Sequence, residues 1–128
     1  MKYLVELSPG ELIDKITILE IKLSKIGNDS KLANIRREYE LLMQVYRGNV
    51  VETERLKELT GKLRDVNSVL WNIEDDIRDQ ERKKAFGADF VALARSVYRT
   101  NDIRSGIKRE INELLKSSIV EEKSYTAY

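Results

Sequence analysis

Leu56, Leu59, Leu63, Val66, Leu70, Ile73 and Ile77 recur at spacings that alternate three and four without a slip. A β-strand cannot keep that rhythm. An α-helix can, because residues three and four apart share one face. The seam predicts a helix from about Val51 to about Lys83, the longest in the chain. Its repeat suits coiled-coil-like packing against a neighbour. A stripe this long has to be covered, by the rest of the chain or by a second copy.

Other seams surround it. Ser8-Pro9-Gly10-Glu11 is a helix start. Ser8 can cap, Pro9 fits the first turn, and Glu11 can reach back to the Ser8 amide. Leu12, Ile16, Leu19, Leu23 and Ile26 then form a seam, with Gly27-Asn28 as a left-handed stop. Asp29 or Ser30 can cap a second helix on the seam Leu32, Ile35, Tyr39, Leu42, Tyr46, stopped by Gly48-Asn49. After the long helix, Ala85-Phe86-Gly87 reads as a turn. Phe90, Leu93 and Val97 mark a short fourth helix. Thr100-Asn101-Asp102 supplies a polar break, and Ile103, Ile107, Ile111 and Leu114 mark a fifth, ended by Ser117-Ser118. Residues 3–7 read as a short strand or an extended lead-in. The tail, 119–128, carries Tyr125 and Tyr128 among polar residues, which predicts that it docks.

Composition narrows the function classes. With 128 residues the chain suits one domain with a modest core. One proline and few aromatics fit helices better than a sandwich or barrel. The net charge of +1 argues against a general nucleic-acid binder, which carries a basic excess. The absence of Cys rules out disulfides and zinc-thiolate sites, and the absence of His rules out histidine base chemistry. No apolar run reaches the length of a membrane span, and residues 1–7 do not form a signal peptide. No membrane role and a cytoplasmic location are the expectations.

The candidate site lies at the supposed break. Arg95 and Arg99 are four apart, as are Arg104 and Lys108, so each pair shares a helical face. Tyr98, Asn101 and Asp102 sit among them. Two such faces meeting at an angle can receive an anion, since guanidinium forks match carboxylate and phosphate. The same residues would also serve as a solvated face with ion pairs to Asp102, Glu110 or the third helix. Trp71, Glu74, Asp75 and Arg78 offer counter-charges beside the long seam, while Glu74 and Arg78 also suit a plain i,i+4 pair. Asp76 with Asp79, and Glu110 with Glu113, have the i,i+3 spacing of carboxylate metal sites, yet any acidic helix yields such pairs. No metal and no cofactor is expected. Glu11, Asp14, Lys15 and Glu20 read as an ordinary amphipathic first helix, with Asp14 and Lys15 partly buried.

Several long segments together resemble one family. They run Pro9 to Lys22 (PGELIDKITILEIK), Lys31 to Ile35 (KLANI), Leu70 to Arg78 (LWNIEDDIR), Ala94 to Asp102 (ARSVYRTND) and Glu121 to Tyr125 (EEKSY). The resemblance is to an uncharacterised bacterial and phage family, a domain of unknown function, and it covers nearly the whole chain. It implies no established activity. Its association with surface-polysaccharide genes implies a sugar-phosphate or nucleotide-sugar context. Leu12 to Ile16 alone also resembles the opening of the all-helical chorismate mutases. That family has an arginine just before this segment, where Gly10 and Glu11 stand here.

The sequence therefore predicts a single all-α domain over 1–128, an antiparallel bundle of about five helices around one long central helix, the third. A homodimer is expected through an exposed part of the third helix or of the first. The functional expectation is a binding module whose polar pocket, drawn from Arg95, Tyr98, Arg99, Asn101, Asp102, Arg104, Lys108, Glu74, Asp75 and Arg78, takes a phosphorylated or carboxylated ligand. Arg95, Asn101, Arg104 and Lys108 are expected to converge facing Glu74 or Asp75. The alternatives are a small enzyme acting on a sugar-phosphate, nucleotide-sugar or dicarboxylate, and a structural adaptor for a partner helix.

Overall fold

The computed structural model describes residues 1–128 and contains four helices and no strand. They are α1 (Pro9–Lys25), α2 (Asp29–Asn49), α3 (Glu54–Arg82) and α4 (Ala88–Leu114). Side-chain caps start the first three. Ser8 Oγ accepts from the Glu11 amide, Asn28 Oδ1 from Lys31 and Thr53 Oγ1 from Leu56. Asn28 therefore caps α2, where Asp29 or Ser30 was expected. Glu11 does not close a capping box, because its carboxylate turns to Lys108 and Lys15. α1 ends without a left-handed residue, since Ile26 is extended and no glycine has positive φ. Residues 1–7 carry no secondary structure, so the short-strand reading does not hold.

The expected fourth and fifth helices are one. Leu93, Val97, Thr100, Arg104, Ile107 and Ile111 are all at least partly buried, at spacings of four, three, four, three and four. The 3.6-residue period thus runs through the supposed break, and Thr100 and Arg104 hold inward positions there. Of Thr100-Asn101-Asp102, Thr100 lies on the inward line, and Asp102 is exposed and pairs with the tail. Ile103, read as a seam residue, is exposed.

The helix that touches all the others is the short α1, not the long α3. α3 and α4 pack along each other as an antiparallel hairpin, with Arg55 reaching Glu110 at the end away from the turn. α1 packs on both, and α2 packs on α1 alone. α1 is accordingly buried almost all round: Leu12, Ile13, Asp14, Ile16, Thr17, Leu19 and Ile21. Along all 21 residues of α2, Ile35 alone is buried. The densest core gathers Ile13 with Leu56, Leu59, Leu63, Ile107 and Ile111, and Tyr46, Val50, Val66 and Leu115 pack against it. At about 25 cal/mol per Å², apolar burial of this kind is the main stabilising term.

Gly10 marks the closest helix approach. A Cβ there would lie 2.6 Å from the Lys108 carbonyl oxygen and 2.9 Å from Asn112 Oδ1. Its amide donates to Asn112 Oδ1 at 2.7 Å. The start of α1 is thereby fixed on the last turns of α4.

Candidate functional site

The polar layer between α1, α3 and α4 is built on Asp14, whose side chain is 1% exposed. Its carboxylate accepts from Asn67 Nδ2 of α3 at 2.9 Å, from Arg104 Nε of α4 at 2.9 Å, and from the Arg104 Nη2. Asn67 also donates to Thr17 Oγ1 at 3.0 Å, and that hydroxyl donates to the Asp14 carbonyl at 2.8 Å. Every lone charge in this layer has a partner, which is the condition for burying it. The hydrogen bond from Arg104 to Asp14 holds the guanidinium pKa above its ordinary value, against the opposing effect of burial.

One turn further along α4, Lys108 is buried at 8% exposure. Its ammonium donates to Glu11 Oε2 at 2.7 Å and lies 3.3 Å from Glu121 Oε2. Burial works against this charge. The Glu11 hydrogen bond and the fields of Asp14, Glu11 and Glu121 outweigh it, so the pKa is raised. Lys108 stays protonated through the neutral range and acts as a fixed cation, not as a base.

Lys108 also forms the wall of a cavity of about 290 Å³ between α4 and the segment that follows it. Lys108, Arg109, Lys116 and Lys123 line it against Glu113 and Glu121, a net charge of +2. Ser105, Asn112 and Ser117 add hydrogen-bonding groups, and Ile119 and Val120 are the apolar part of the lining. Lys116 is held there at φ 54, in the left-handed region that α4 uses to end. The Ser117 amide donates to the Asn112 carbonyl at 2.8 Å, as in a glycine-type helix stop, but the residue is a lysine.

The last ten residues run back along α4. Glu121 meets Lys108, and Glu122 lies 3.7 Å from Arg109. Lys123 donates to Asp102 Oδ1 at 2.9 Å and to Ser105 at 3.3 Å. The Tyr128 hydroxyl donates to Asp102 Oδ2 at 2.8 Å. Its ring lies 5.1 Å from that of Tyr98, and the Arg99 guanidinium sits 6.0 Å from its centroid.

The sequence-derived site is thus divided. Arg104 and Lys108 do come together, but they face Asp14 and Glu11 of α1, not Glu74 or Asp75. Glu74 and Asp75 are exposed on α3, and Glu74 accepts from Arg78 at 3.2 Å within its own helix. Tyr98, Arg99 and Asp102 meet the tail. Asn101 is half-buried on α4, and Arg95 is exposed on the same helix. The convergence fails because α4 does not bend: Arg95 and Arg99 fall outside the inward line that carries Arg104 and Lys108. Asp79 pairs with Arg82 and Lys83, Glu110 with Arg55, and Glu113 with Arg109.

Sequence reading took Asp14 for a partly buried residue of an ordinary amphipathic first helix and passed over Thr17, Asn67 and Asn112. A signal for three of them was present. Asp14 and Thr17 are three apart in a helix apolar on its other sides, and Asn67 stands midway between Leu63 and Trp71. Polar residues on inward lines of separate helices are the mark of a shared polar layer.

The chain belongs to a family of unknown function (DUF6165), which it matches over residues 1–128. No curated protein and no solved structure matches it.

Proposed function

We propose that this chain is a binding module for a small anionic ligand, phosphorylated or carboxylated, held in the cavity between α4 and residues 117–123. One observation carries the reading. Four cations and two carboxylates line a cavity of about 290 Å³, and one of the cations, Lys108, has its charge sustained by the surrounding carboxylates. A concave site with a net positive lining and hydroxyl and amide donors suits phosphate or carboxylate. Its size favours a metabolite over a large cofactor. One turn before Lys108, outside the cavity lining, Arg104 ties α4 to Asp14 of α1.

A thermal-shift screen over nucleotides, sugar phosphates and dicarboxylates tests the reading, with Lys116→Gly as the informative variant. Relieving a left-handed lysine should raise stability by up to about 1 kcal/mol. It also removes a cation from the cavity, so the ligand-induced shift should fall. Lys84→Gly is the control, because Lys84 ends α3 in the same conformation at φ 53 and lies off the cavity. No shift with any ligand, or equal ligand shifts for the two variants, would remove the proposal.

A homodimer is the accompanying proposal. The chain exposes 9257 Å² at a mass of 14.9 kDa. A folded monomer of that mass exposes about 7,000 Å². Residues 1–7 and the tail contribute part of the excess. α2 adds to it, with Leu41 and Val45 exposed. Standard interfaces bury about 800 Å² per partner, which this surface can supply. Light scattering over a concentration series decides it: a mass near 14.9 kDa throughout leaves the chain a monomer.

A further inference from the structure

Resting on the anion site proposed above, we infer that the C-terminal strap is that site's internal ligand. The Glu121 carboxylate stands on Lys108 where the charged group of an incoming anion docks, and binding exchanges it out.

Residues 119–128 carry no helix or strand and are exposed throughout. Side-chain contacts hold the strap, and they fall into two groups. At the near end, Glu121 lies 3.3 Å from Lys108 and Glu122 lies 3.7 Å from Arg109. Glu121 is 64% exposed and Glu122 73%. Such pairs are weak and readily replaced. At the far end, Asp102 accepts from Lys123 at 2.9 Å and from Tyr128 at 2.8 Å, and Tyr128 leans on Tyr98. This end has the shorter contacts and an aromatic pair.

The ammonium of Lys108 has three donors. Glu11, fixed on α1, takes one at 2.7 Å. Glu121 faces another and belongs to a segment that can swing away. An external phosphate or carboxylate needs that same position. Exchange at the near end leaves the Asp102 clasp closed, so Glu121 stays tethered beside the site at high effective concentration. A tethered carboxylate competes poorly with a dianion and well with a monoanion. The strap therefore selects for phosphate groups or dicarboxylates over acetate-like ligands.

Isothermal titration with inorganic phosphate, at fixed ionic strength, tests this on the full chain and on two variants. Glu121→Gln and Glu113→Gln each remove one carboxylate from the cavity lining, so they change its net charge equally. Of these two carboxylates, Glu121 alone pairs with Lys108. Glu121→Gln should bind phosphate about fivefold more tightly, and Glu113→Gln less than about twofold. As phosphate is added to the parent protein, backbone NMR should show 119–122 losing order while Tyr128 keeps it. Equal gains in the two variants, or a strap that stays ordered at saturation, would overturn the exchange and leave the anion site standing. Absence of phosphate binding in all three proteins would overturn the site itself, and the strap's role with it.

Discussion

Arg104 and Lys108 stand one turn apart on α4, and each meets a carboxylate from elsewhere in the chain. Arg104 meets Asp14, which is 1% exposed and sits on the helix that packs against all the others. Lys108 meets Glu121, which is 64% exposed and sits on a strap without secondary structure. The chemistry is the same and the surroundings are not. Around Asp14 water is excluded, every partner is fixed, and losing one leaves a charge stranded. Glu121 is open to water, which can take its place on Lys108. The first pair helps set the register of α1 on α4, because a slip would bury Asp14 without its cation. The second pair can open without disturbing the fold. In the anion site proposed above, the first pair keeps α1 on α4 and the second yields to the ligand.

The largest expected effect comes from breaking the inner pair. Asp14→Ala should cost about 3 kcal/mol, since the half-buried Arg104 and the buried Asn67 both lose their carboxylate partner. Urea unfolding checks this as a lower midpoint at unchanged slope. Glu121→Gln should cost under about 1 kcal/mol. Similar losses for the two would erase the distinction. Gly10→Ala comes next. The added Cβ meets the Lys108 carbonyl at 2.6 Å, a backbone atom that cannot step aside, so α1 must lift. A cost of about 1–3 kcal/mol is expected. Gly61→Ala, in open space within α3, should gain about 0.5–1 kcal/mol through helix propensity. A neutral Gly10→Ala would mean that α1 is not held tightly on α4.

Much of the fold was legible because helical periodicity survives any environment. The Leu56 to Ile77 seam, the Ser8 cap and the turn near Gly87 needed no tertiary knowledge. The reading slipped where polarity was taken as a boundary. Thr100 and Arg104 keep the inward rhythm of α4, but a polar inward residue looks like a break until its partner on another helix is known. The same cause hid the part Asp14 plays: partial burial was legible, but its full burial depends on three helices meeting around it. Centrality was misjudged for a related reason. Length marks α3, whereas burial on all sides marks α1, and only packing tells which helix the others surround. The cavity was out of reach from sequence, because the strap brings Glu121 beside Lys108 across thirteen residues of helix end and coil. Lys108 was visible as a candidate, but not what would face it.

The smallest effect is the most specific, and it concerns the outer clasp. Hydrogen bonds from Lys123, and then from Tyr128, hold the Asp102 carboxyl below its ordinary value of 3.8. A depressed carboxyl pKa favours the closed strap above the ordinary value, and this preference is lost as pH falls through the folded value. On the alkaline side the Asp102 hydrogen bond raises the Tyr128 phenol above its ordinary 10.0. That contribution is present below pH 10.0 and is lost as pH rises through the raised value. Arg99, close to the same ring, works against the rise. The clasp should therefore be closed across the neutral range and loosen at both extremes. Backbone NMR of residues 123–128 along a pH series should show order falling off in acid and again in strong alkali, with the four helices intact at the onset of each. In Asp102→Asn the acid step should vanish, because an amide has no proton to gain. Should the acid step persist unchanged in that variant, other carboxylates control the strap and Asp102 is only a bystander to it.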